Sequence, residues 1–508
     1  MSARRDPASA KGAAVRAAAE WVAAWRRNAA HLAENGLYDP AEEHESCGVG
    51  LVASVDGEPR RAVVEAGIDA LKAVWHRGAV DADGKTGDGA GIHLQIPQDY
   101  FRTHIARTGH EVGSGLLAVG QVFLPKTNFH AQEACRSAVE TEILRFGHHI
   151  YGWRQVPVDV SVIGEKANAT RPEIEQIMIA NGRGVPEGEF ERDLFIIRRR
   201  IENRVLERHI SDDFYICSLS CRSIIHKGMF LAEQLSAFYP DLLDDMFASK
   251  FAIYHQRYST NTFPNWRNAQ PFRVLAHNGE INTLKGNVNW MHSHEPRMAS
   301  DVFGDCIDDI RPIVQSGGSD SASLDAVFEV LVQAGRSAPM AKTMMIPEAW
   351  SNDPTMPESH RAMYAFCTAI MEPWDGPSAI AATDGRWVIG GMDRNGLRPM
   401  RYTLTGDGLL FVGSETGMVP IPESLVVEKG RVGRGEMVGV DLELGRFYRD
   451  RDLKDLLASA DPYEDWVQSI VPIDSILAGS PRSRLLDTAG MKRRQIAVGH
   501  SLEVIELI

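Results

Sequence analysis

The chain has 508 residues, of which 44% are hydrophobic and 24% charged, and its formal net charge is −14 at pH 7. These fractions are typical of globular domains and exclude collagen-like, coiled-coil and disordered classes. The acidic balance argues against nucleic acid as a partner. No stretch approaches the roughly 20 apolar residues of a membrane span, so a membrane is not expected as a partner either.

The first 46 residues are predicted to form a leader ahead of the folded domain. Residues 13–34 are rich in Ala and Arg and are predicted to form a helix that ends at Asn35-Gly36. A mitochondrial transit peptide is one interpretation, but the acidic residues of this segment favour the helical leader of a cytosolic protein. Free thiols in a reducing cytosol also fit the six scattered cysteines, at positions 47, 135, 217, 221, 306 and 367.

From residue 47 onward, the pattern indicates a compact domain of mixed strands and helices. An apolar run at 47–55 predicts a strand, and apolar residues at i, i+4, i+7 and i+11 from Val64 predict an amphipathic helix. Further strands are predicted at 215–225, 251–254, 273–276, 379–383, 387–390 and 409–412, and helices at 323–334 and 360–371. The residues Asp384-Gly385-Arg386 predict a hairpin between two of these strands. Strands and helices without a regular βαβ rhythm indicate layered sheets covered by helices.

Three polar patterns are interpreted as structural. Cys217 and Cys221 are expected to share one face of a strand as buried thiols, rather than to form half of a metal site. The arginine run at 198–208 alternates with glutamates, which predicts a solvated helix face. The histidines at 292–294 lack further ligands at zinc spacing, so no metal is expected.

Cys47 has an unusual setting, because it follows a polar segment and opens the first predicted strand. Cleavage after Ser46 would leave an N-terminal cysteine with both a thiol and a free α-amine. The ordinary pKa of such an amine is about 7.7–8.0 and that of a thiol about 8.5, so the amine can assist deprotonation of the thiol. On local sequence alone, the alternative is an ordinary buried cysteine at the start of a strand.

Five segments in a fixed order resemble the signatures of class II glutamine amidotransferases, which are N-terminal nucleophile hydrolases. They are CGVG at 47–50, HQRYST at 255–260, AHNGEI at 276–281, GSDS at 318–321 and DRNGLRP at 393–399. Within that family, the chain most resembles the glutaminase portion of the large (alpha) subunit of glutamate synthases, on segments 75–91, 227–235 and 277–291.

The resemblance implies an α+β fold, the four-layer αββα sandwich of N-terminal nucleophile hydrolases. It also implies three regions. Residues 1–46 would be a propeptide, 47–465 the glutaminase domain, and 466–508 a linker with the truncated start of the glutamate synthase central domain.

The resemblance further implies which groups carry out glutamine hydrolysis. Cys47 matches the family's nucleophile, and the Asn278 side-chain amide and the Gly279 backbone N–H match its oxyanion hole. On the residues alone, the sequence HNG is also a good turn signal.

Two further residues match positions that bind the amino-acid end of the substrate, and a third is expected to lie in the pocket. Arg257 matches the family's clamp for the α-carboxylate, with a surface ion pair as the alternative. Asp320 matches the partner of the α-ammonium, although it could instead cap a helix, with Ser319, Ser321 and Ser323 as rival caps. Arg77 is expected to line the pocket.

By resemblance, L-glutamine would be hydrolysed to L-glutamate and ammonia through a thioester. In the family's full-length enzyme, synthase domains with FMN and an iron–sulfur cluster use that ammonia to convert 2-oxoglutarate to glutamate. No cofactor is expected within this chain, and its partners would be those synthase domains or the small subunit. The alternatives are another class II amidotransferase, such as amidophosphoribosyltransferase, or a non-catalytic fragment that serves as an interaction module.

Overall fold

The computed structural model describes residues 47–257, 263–315, 317–477 and 490–498, together with residues 20, 23–24, 26–28, 30–31 and 33–36 of the leader. The chain divides into two compact units, Met1–Asp461 and Pro462–Ile508. The strands are β1 Gly48–Ser54, β2 Ala90–Gln95, β3 Leu117–Leu124, β4 His149–Gln155, β5 Glu173–Ala180, β6 Tyr215–Ser220, β7 Ser223–Gly228, β8 Phe251–Gln256, β9 Leu275–Gly279, β10 Ser378–Thr383, β11 Trp387–Met392, β12 Arg401–Thr405, β13 Leu409–Gly413, β14 Val426–Arg431, β15 Met437–Asp441 and β16 Arg446–Tyr448.

The α-helices are, in chain order, α1 Arg61–Ala73, α2 Gln98–Ala106, α3 Phe129–Arg145, α4 Glu165–Ala169, α5 Glu187–Glu207, α6 Leu235–Phe238, α7 Leu284–His294, α8 Asp320–Gln333, α9 Ala338–Met345, α10 Glu358–Ile370, α11 Asp450–Ala458, α12 Tyr463–Val467, α13 Ile473–Leu477 and α14 Met491–Ala497. The last three lie in the second unit. None of the helices in the described residues combines the length and the apolar character that crossing a membrane requires.

Two antiparallel sheets pack face to face at the centre of the first unit. The strand order is β14-β12-β13-β1-β8-β2-β7 in the first sheet and β16-β15-β11-β10-β9 in the second. Alternate residues of each strand point into the shared core, where Val49 and Leu51 of β1 lie in one buried cluster with Ala379 and Ala381 of β10.

Helices cover both outer faces of these sheets. On the first sheet, α1 buries Val64, Ile68 and Leu71 in a cluster that includes Val52 of β1. On the second sheet, α9 packs on β11 and α11 packs on β15. The layers therefore run α, β, β, α, which confirms the predicted four-layer sandwich.

A third, four-stranded antiparallel sheet was not predicted. Its order is β4-β5-β3-β6, and α3 and α5 pack on one face through buried residues such as Val139 and Leu194. This sheet and its helices occupy residues 117–220, between β2 and β7 of the first sheet.

The strand predicted at 215–225 is wrong, because the chain changes sheets within it. β6 ends at Ser220 in the third sheet and β7 begins at Ser223 in the first. The buried carboxylate of Glu191 stabilises the break by accepting hydrogen bonds from the Ser220 hydroxyl (2.7 Å) and the Cys221 N–H (2.8 Å). Both cysteines are buried as expected, but they do not share a face, because Cys217 and Cys221 belong to different core clusters.

The prediction of a solvated arginine face on α5 is also wrong. Arg198 and Arg199 are only 2% and 4% exposed. The Glu202 carboxylate accepts hydrogen bonds from both of them and from Arg273, at 2.6–2.8 Å, and Arg198 also donates to Glu329 of α8. Glu202 thus neutralises buried arginines, whereas Glu207 and Arg208 at the end of the helix are exposed, as predicted.

The described leader residues agree with the predicted helix, since those between Glu20 and Asn35 are helical. The first part of that prediction, residues 13–19, lies outside the described residues. The predicted boundary at residue 465 is not tested and stays a prediction.

Candidate active site

Strand pairing in the first sheet brings Cys47 close to Arg257. Cys47 directly precedes β1, and the antiparallel register pairs Gly48 of β1 with Gln256 of β8. Continued by one residue, the same register places Cys47 opposite Arg257, just beyond the end of β8. Cys47 and Arg257 therefore lie at one end of the central strands, where Cys47 is partly exposed.

The end of β9 in the second sheet meets the same place. The side-chain amide nitrogen of Asn278 donates to the carbonyl oxygen of Cys47 at 2.8 Å. Asn278 and Gly279 are the last two residues of β9 and pair with Ala379 and Ser378 of β10. The HNG sequence therefore ends a strand and does not form an isolated turn.

Gly279 has a backbone conformation that only glycine adopts easily, with φ of +153°. A Cβ atom at this position would lie 1.8 Å from the carbonyl oxygen of Pro377. The conformation and the close approach both require glycine at the position that matches an oxyanion donor.

Arg257 is a buried cation surrounded by acidic groups. Its backbone N–H donates to the carbonyl oxygen of Gly89 at 2.8 Å, and the residue is 6% exposed. Burial lowers the pKa of its guanidinium, and the nearby Cys47, Asp88 and Asp320 oppose that shift. The surface ion pair considered as an alternative does not fit this burial.

Asp320 is the first residue of α8, but it does not cap the helix. Ser319 is the N-cap, and its hydroxyl accepts a hydrogen bond from the Ala322 N–H at 3.1 Å. The Asp320 carboxylate instead accepts the N–H of Ile281 at 3.0 Å, in the segment that follows β9. Its side chain is thereby held against the end of β9.

Arg77 lies in a one-turn 3-10 helix after α1 and contacts Glu415. Its Nε donates to the Glu415 carboxylate at 2.6 Å, and His76 Nε2 lies 2.9 Å from the same oxygen. Burial alone would raise the pKa of Glu415, but its contacts with His76 and Arg77 lower the pKa below its ordinary value. The neighbouring Ser414 bonds to Val49 of β1, so Arg77 lies near the strand of Cys47, while its lining of a substrate pocket stays a prediction.

Two buried histidines in these motifs had no predicted role. His255 lies two residues before Arg257, and His277 lies directly before Asn278; both are less than 2% exposed. The available signal was a polar residue at an inward-facing position of an otherwise apolar strand. That signal indicates a hydrogen-bonded group, but it does not say to what the group is bonded.

Comparison with known protein families covers the residues that form this site. A family model described as "Glutamine amidotransferases class-II" matches residues 47–466. The chain therefore belongs to the class II glutamine amidotransferases.

The chain is most clearly similar to glutamate synthases within this class. It is 61% identical over 494 residues to "Glutamate synthase [NADPH] large chain" of Azospirillum brasilense, covering 96% of this chain and 32% of that protein. It is 39% identical to the protein of the same name from Bacillus subtilis, covering 93% and 31%. It is 38% identical to "Ferredoxin-dependent glutamate synthase 1, chloroplastic/mitochondrial" of Arabidopsis thaliana, covering 93% and 29%. The chain thus spans about a third of the length of these relatives.

A solved glutamine phosphoribosylpyrophosphate amidotransferase from B. subtilis is similar at 15% identity, covering 65% of this chain and 49% of that one. Its TM-score of 0.28 is too low to support an argument about this chain. Within the part of the chain that the structure describes, no three His, Cys, Asp or Glu residues form a group that could hold a metal ion.

Proposed function

We propose that this chain hydrolyses L-glutamine to L-glutamate and ammonia, with Cys47 as the nucleophile after removal of residues 1–46. One observation carries the proposal. The 2.8 Å hydrogen bond from Asn278 to the Cys47 carbonyl joins the ends of two sheets, which also bear Arg257 and Gly279.

The proposed reaction starts at the sulfur of Cys47. The α-amine freed by cleavage accepts the thiol proton, and the sulfur attacks the side-chain amide carbon of glutamine. Collapse of the tetrahedral intermediate breaks the C–N bond, and the α-amine returns its proton to the departing nitrogen, giving ammonia and a thioester. Water then attacks the thioester, which releases glutamate and restores the thiol.

Two donors at the end of β9 are placed to stabilise the negative oxygen of that intermediate. A side-chain amide has two N–H donors, so Asn278 can hold the Cys47 carbonyl with one and the developing oxyanion with the other. The Gly279 backbone N–H would be the second donor. Losing one such donor typically costs about 2.7–4 kcal/mol of transition-state stabilisation.

Opposite charges would orient the amino-acid end of the substrate. The planar guanidinium of Arg257 suits a bidentate bond to the α-carboxylate, and the Asp320 carboxylate suits the α-ammonium. Arg257 interacts electrostatically with both Cys47 and Asp320, so a substrate held by these two charges would have its amide end within reach of the sulfur.

The similarity to glutamate synthases extends the proposal to a longer enzyme in the cytosol. There, synthase domains or a small subunit would use the ammonia to make glutamate from 2-oxoglutarate. FMN would belong to those domains by the same similarity. The iron–sulfur cluster would also belong there, because the cysteines of this chain are spread over residues 47–367 and do not form the four-cysteine set that a cluster needs.

Ammonia release from L-glutamine by the purified chain tests the proposal. We expect Cys47→Ala to abolish it, and Cys306→Ala, at another partly exposed cysteine, to leave it unchanged. Ammonia release by the Cys47→Ala variant would contradict the mechanism. A wild-type chain that begins at Cys47 but releases no ammonia would favour a non-catalytic interaction module.

The clamp is tested by changing Arg257 and the substrate together. Arg257→Met should raise KM for L-glutamine by about 10- to 100-fold, the equivalent of one or two charged hydrogen bonds. L-glutaminamide, which has no α-carboxylate, should be a poor substrate of the wild type. The Arg257→Met variant should discriminate far less between L-glutamine and L-glutaminamide. If the variant discriminates as strongly as the wild type, Arg257 does not bind the α-carboxylate.

A further inference from the structure

Strand β9, which ends at the proposed oxyanion donors and is called the oxyanion strand below, lies at the edge of its sheet. One side of its backbone therefore has no partner strand among the described residues. The side chain of Gln270 takes the place of that strand. Its Oε1 accepts the His277 N–H at 2.8 Å, and its Nε2 donates to the His277 carbonyl at 3.2 Å. The residue immediately before Asn278 is thereby fixed along its free edge.

A histidine from the first sheet bonds to the same carbonyl. His255 of β8 donates from Nε2 to the His277 oxygen at 3.1 Å. Because a carbonyl only accepts, this contact assigns the ring proton to Nε2, and burial keeps the ring neutral by lowering the pKa of His255 to about 3. The bond joins the strand that leads to Arg257 to the strand that ends at the oxyanion donors.

The side chain of His277 extends the connection to α8. Its Nδ1 lies 2.8 Å from the Ser321 hydroxyl, which donates to the Asp320 carboxylate at 3.4 Å. The ring and the hydroxyl can bond in either neutral tautomer of His277, because a hydroxyl both donates and accepts. Burial lowers the pKa of His277 to about 4 despite the nearby Asp320, so this ring is also neutral.

We propose that His277 is a positioning residue that holds the oxyanion strand and Asp320 in the correct position relative to Arg257. Its backbone is bonded to Gln270 and His255, and its ring reaches Asp320 through Ser321. The inference rests on the proposed glutaminase function. A displacement of about 1 Å at a reacting centre can cost about 100-fold in rate, so this network would affect catalysis without touching the substrate.

Two variants and a matched control separate positioning from stability. His277→Leu removes the bond to Ser321, whereas His277→Asn keeps a polar group near the position of Nδ1. His226→Leu removes another fully buried histidine, whose ring nitrogens have no hydrogen-bond partner among the described residues. A general effect of losing a buried histidine would appear in both leucine variants.

We expect His277→Leu to lower kcat/KM for L-glutamine by about 10- to 100-fold, His277→Asn to recover most of that loss, and His226→Leu to match the wild type. In His277→Leu the Ser321 hydroxyl loses the ring that fixes it, and in Ser321→Ala the Asp320 carboxylate keeps, among the described residues, only its bond from the Ile281 N–H. Both variants should therefore also discriminate less between L-glutamine and 4-carbamoylbutanoate, which lacks the α-ammonium. Ser321→Ala serves as the second variant if His277→Leu does not fold.

Hydrogen exchange at the Ile281 amide, which donates to Asp320, gives a measurement independent of activity. Exchange should be faster in His277→Leu and Ser321→Ala, and unchanged in His226→Leu. An unchanged kcat/KM, unchanged substrate discrimination or unchanged Ile281 exchange in folded variants would overturn the inference. If the wild type is inactive while Ile281 exchange responds as expected, the proposed function fails but the hydrogen-bond network stands.

Discussion

At the scale of single residues, backbone geometry constrains Gly279 more than side-chain chemistry does. Its φ of +153° and the Pro377 oxygen leave no room for a Cβ atom. Any larger residue would have to rotate the peptide whose N–H is the proposed oxyanion donor. If that N–H is the oxyanion donor, the backbone conformation of Gly279 affects both activity and local stability.

We expect Gly279→Ala to lower kcat by about 100- to 1,000-fold, as the loss of an oxyanion donor does. It should also lower the free energy of unfolding by about 1–3 kcal/mol through backbone strain. Steady-state kinetics and urea unfolding measure the two effects.

Gly286→Ala is the matched control, because Gly286 lies inside α7 and a Cβ there would meet nothing within 4 Å. It should leave kcat unchanged and stabilise the chain by about 0.5–1 kcal/mol. A Gly279→Ala variant with wild-type kcat would show that its N–H is not in the oxyanion hole.

At the scale of elements, local patterns predicted those whose partners are near in sequence. Apolar spacing located α1, and Asp384-Gly385-Arg386 located the β10–β11 hairpin, where the Asp384 carboxylate accepts the N–H of Arg386 at 2.9 Å. Both depend on neighbours along the chain. The strand predicted at 273–276 forms two residues later, because the Asp325 carboxylate of α8 binds the N–H groups of 273–275.

Elements that depend on distant partners were not predictable in this way. The continuous pattern at 215–225 contains no sign that its first half pairs with β3 and its second half with β2. Both of these strands lie far earlier in the chain. Likewise, Arg198 and Glu202 have the spacing of a solvated pair, and only the packing of α8 against α5 shows that they are buried.

Glu202 provides a test of that buried network. Glu202→Ala removes the carboxylate shared by Arg198, Arg199 and Arg273, which leaves buried positive charges uncompensated. We expect a loss of about 3–5 kcal/mol in the free energy of unfolding. Glu207→Ala, at an exposed position of the same helix, should change it by less than about 0.5 kcal/mol. If the two variants change the free energy of unfolding equally, Glu202 is solvated, as the sequence pattern of α5 suggests.

The site was more predictable than the third sheet, because its motifs lie at the ends of strands that the sequence also indicates. Resemblance named Cys47, Arg257, Asn278, Gly279 and Asp320, and the structure brings them to one end of the two sheets. The partners of His277 were not predictable, because Gln270 and Ser321 reach it only after the sheets and α8 have packed.

At the scale of the whole molecule, buried neutral histidines make stability depend on pH. Burial lowers the pKa of His93 and His255 to about 3 and that of His226 and His277 to about 4. In the unfolded chain these rings bind protons below about pH 6.5. Between that pH and about 4 the unfolded state therefore binds more protons, and stability falls as the pH falls. Burial raises the pKa of Asp325 to about 6, which opposes the trend by one proton.

We expect the urea midpoint of the full chain to fall steadily between pH 7 and pH 5. Each such histidine contributes up to about 1.4 kcal/mol per pH unit to this slope. His226→Leu should make the slope shallower, while Glu207→Ala should leave it unchanged. A urea midpoint that does not change over this range would show that these rings bind protons as readily in the folded chain as in the unfolded chain.

The central claim is that cleavage after Ser46 frees Cys47 as the nucleophile for glutamine. Mass spectrometry after reaction with 6-diazo-5-oxo-L-norleucine, an electrophilic glutamine analogue, tests it most directly. We predict an N-terminal peptide that begins at Cys47 and carries one adduct on its sulfur, with excess L-glutamine protecting against the reaction. An active chain that keeps residues 1–46, or an adduct on another cysteine with Cys47 unmodified, would contradict the claim.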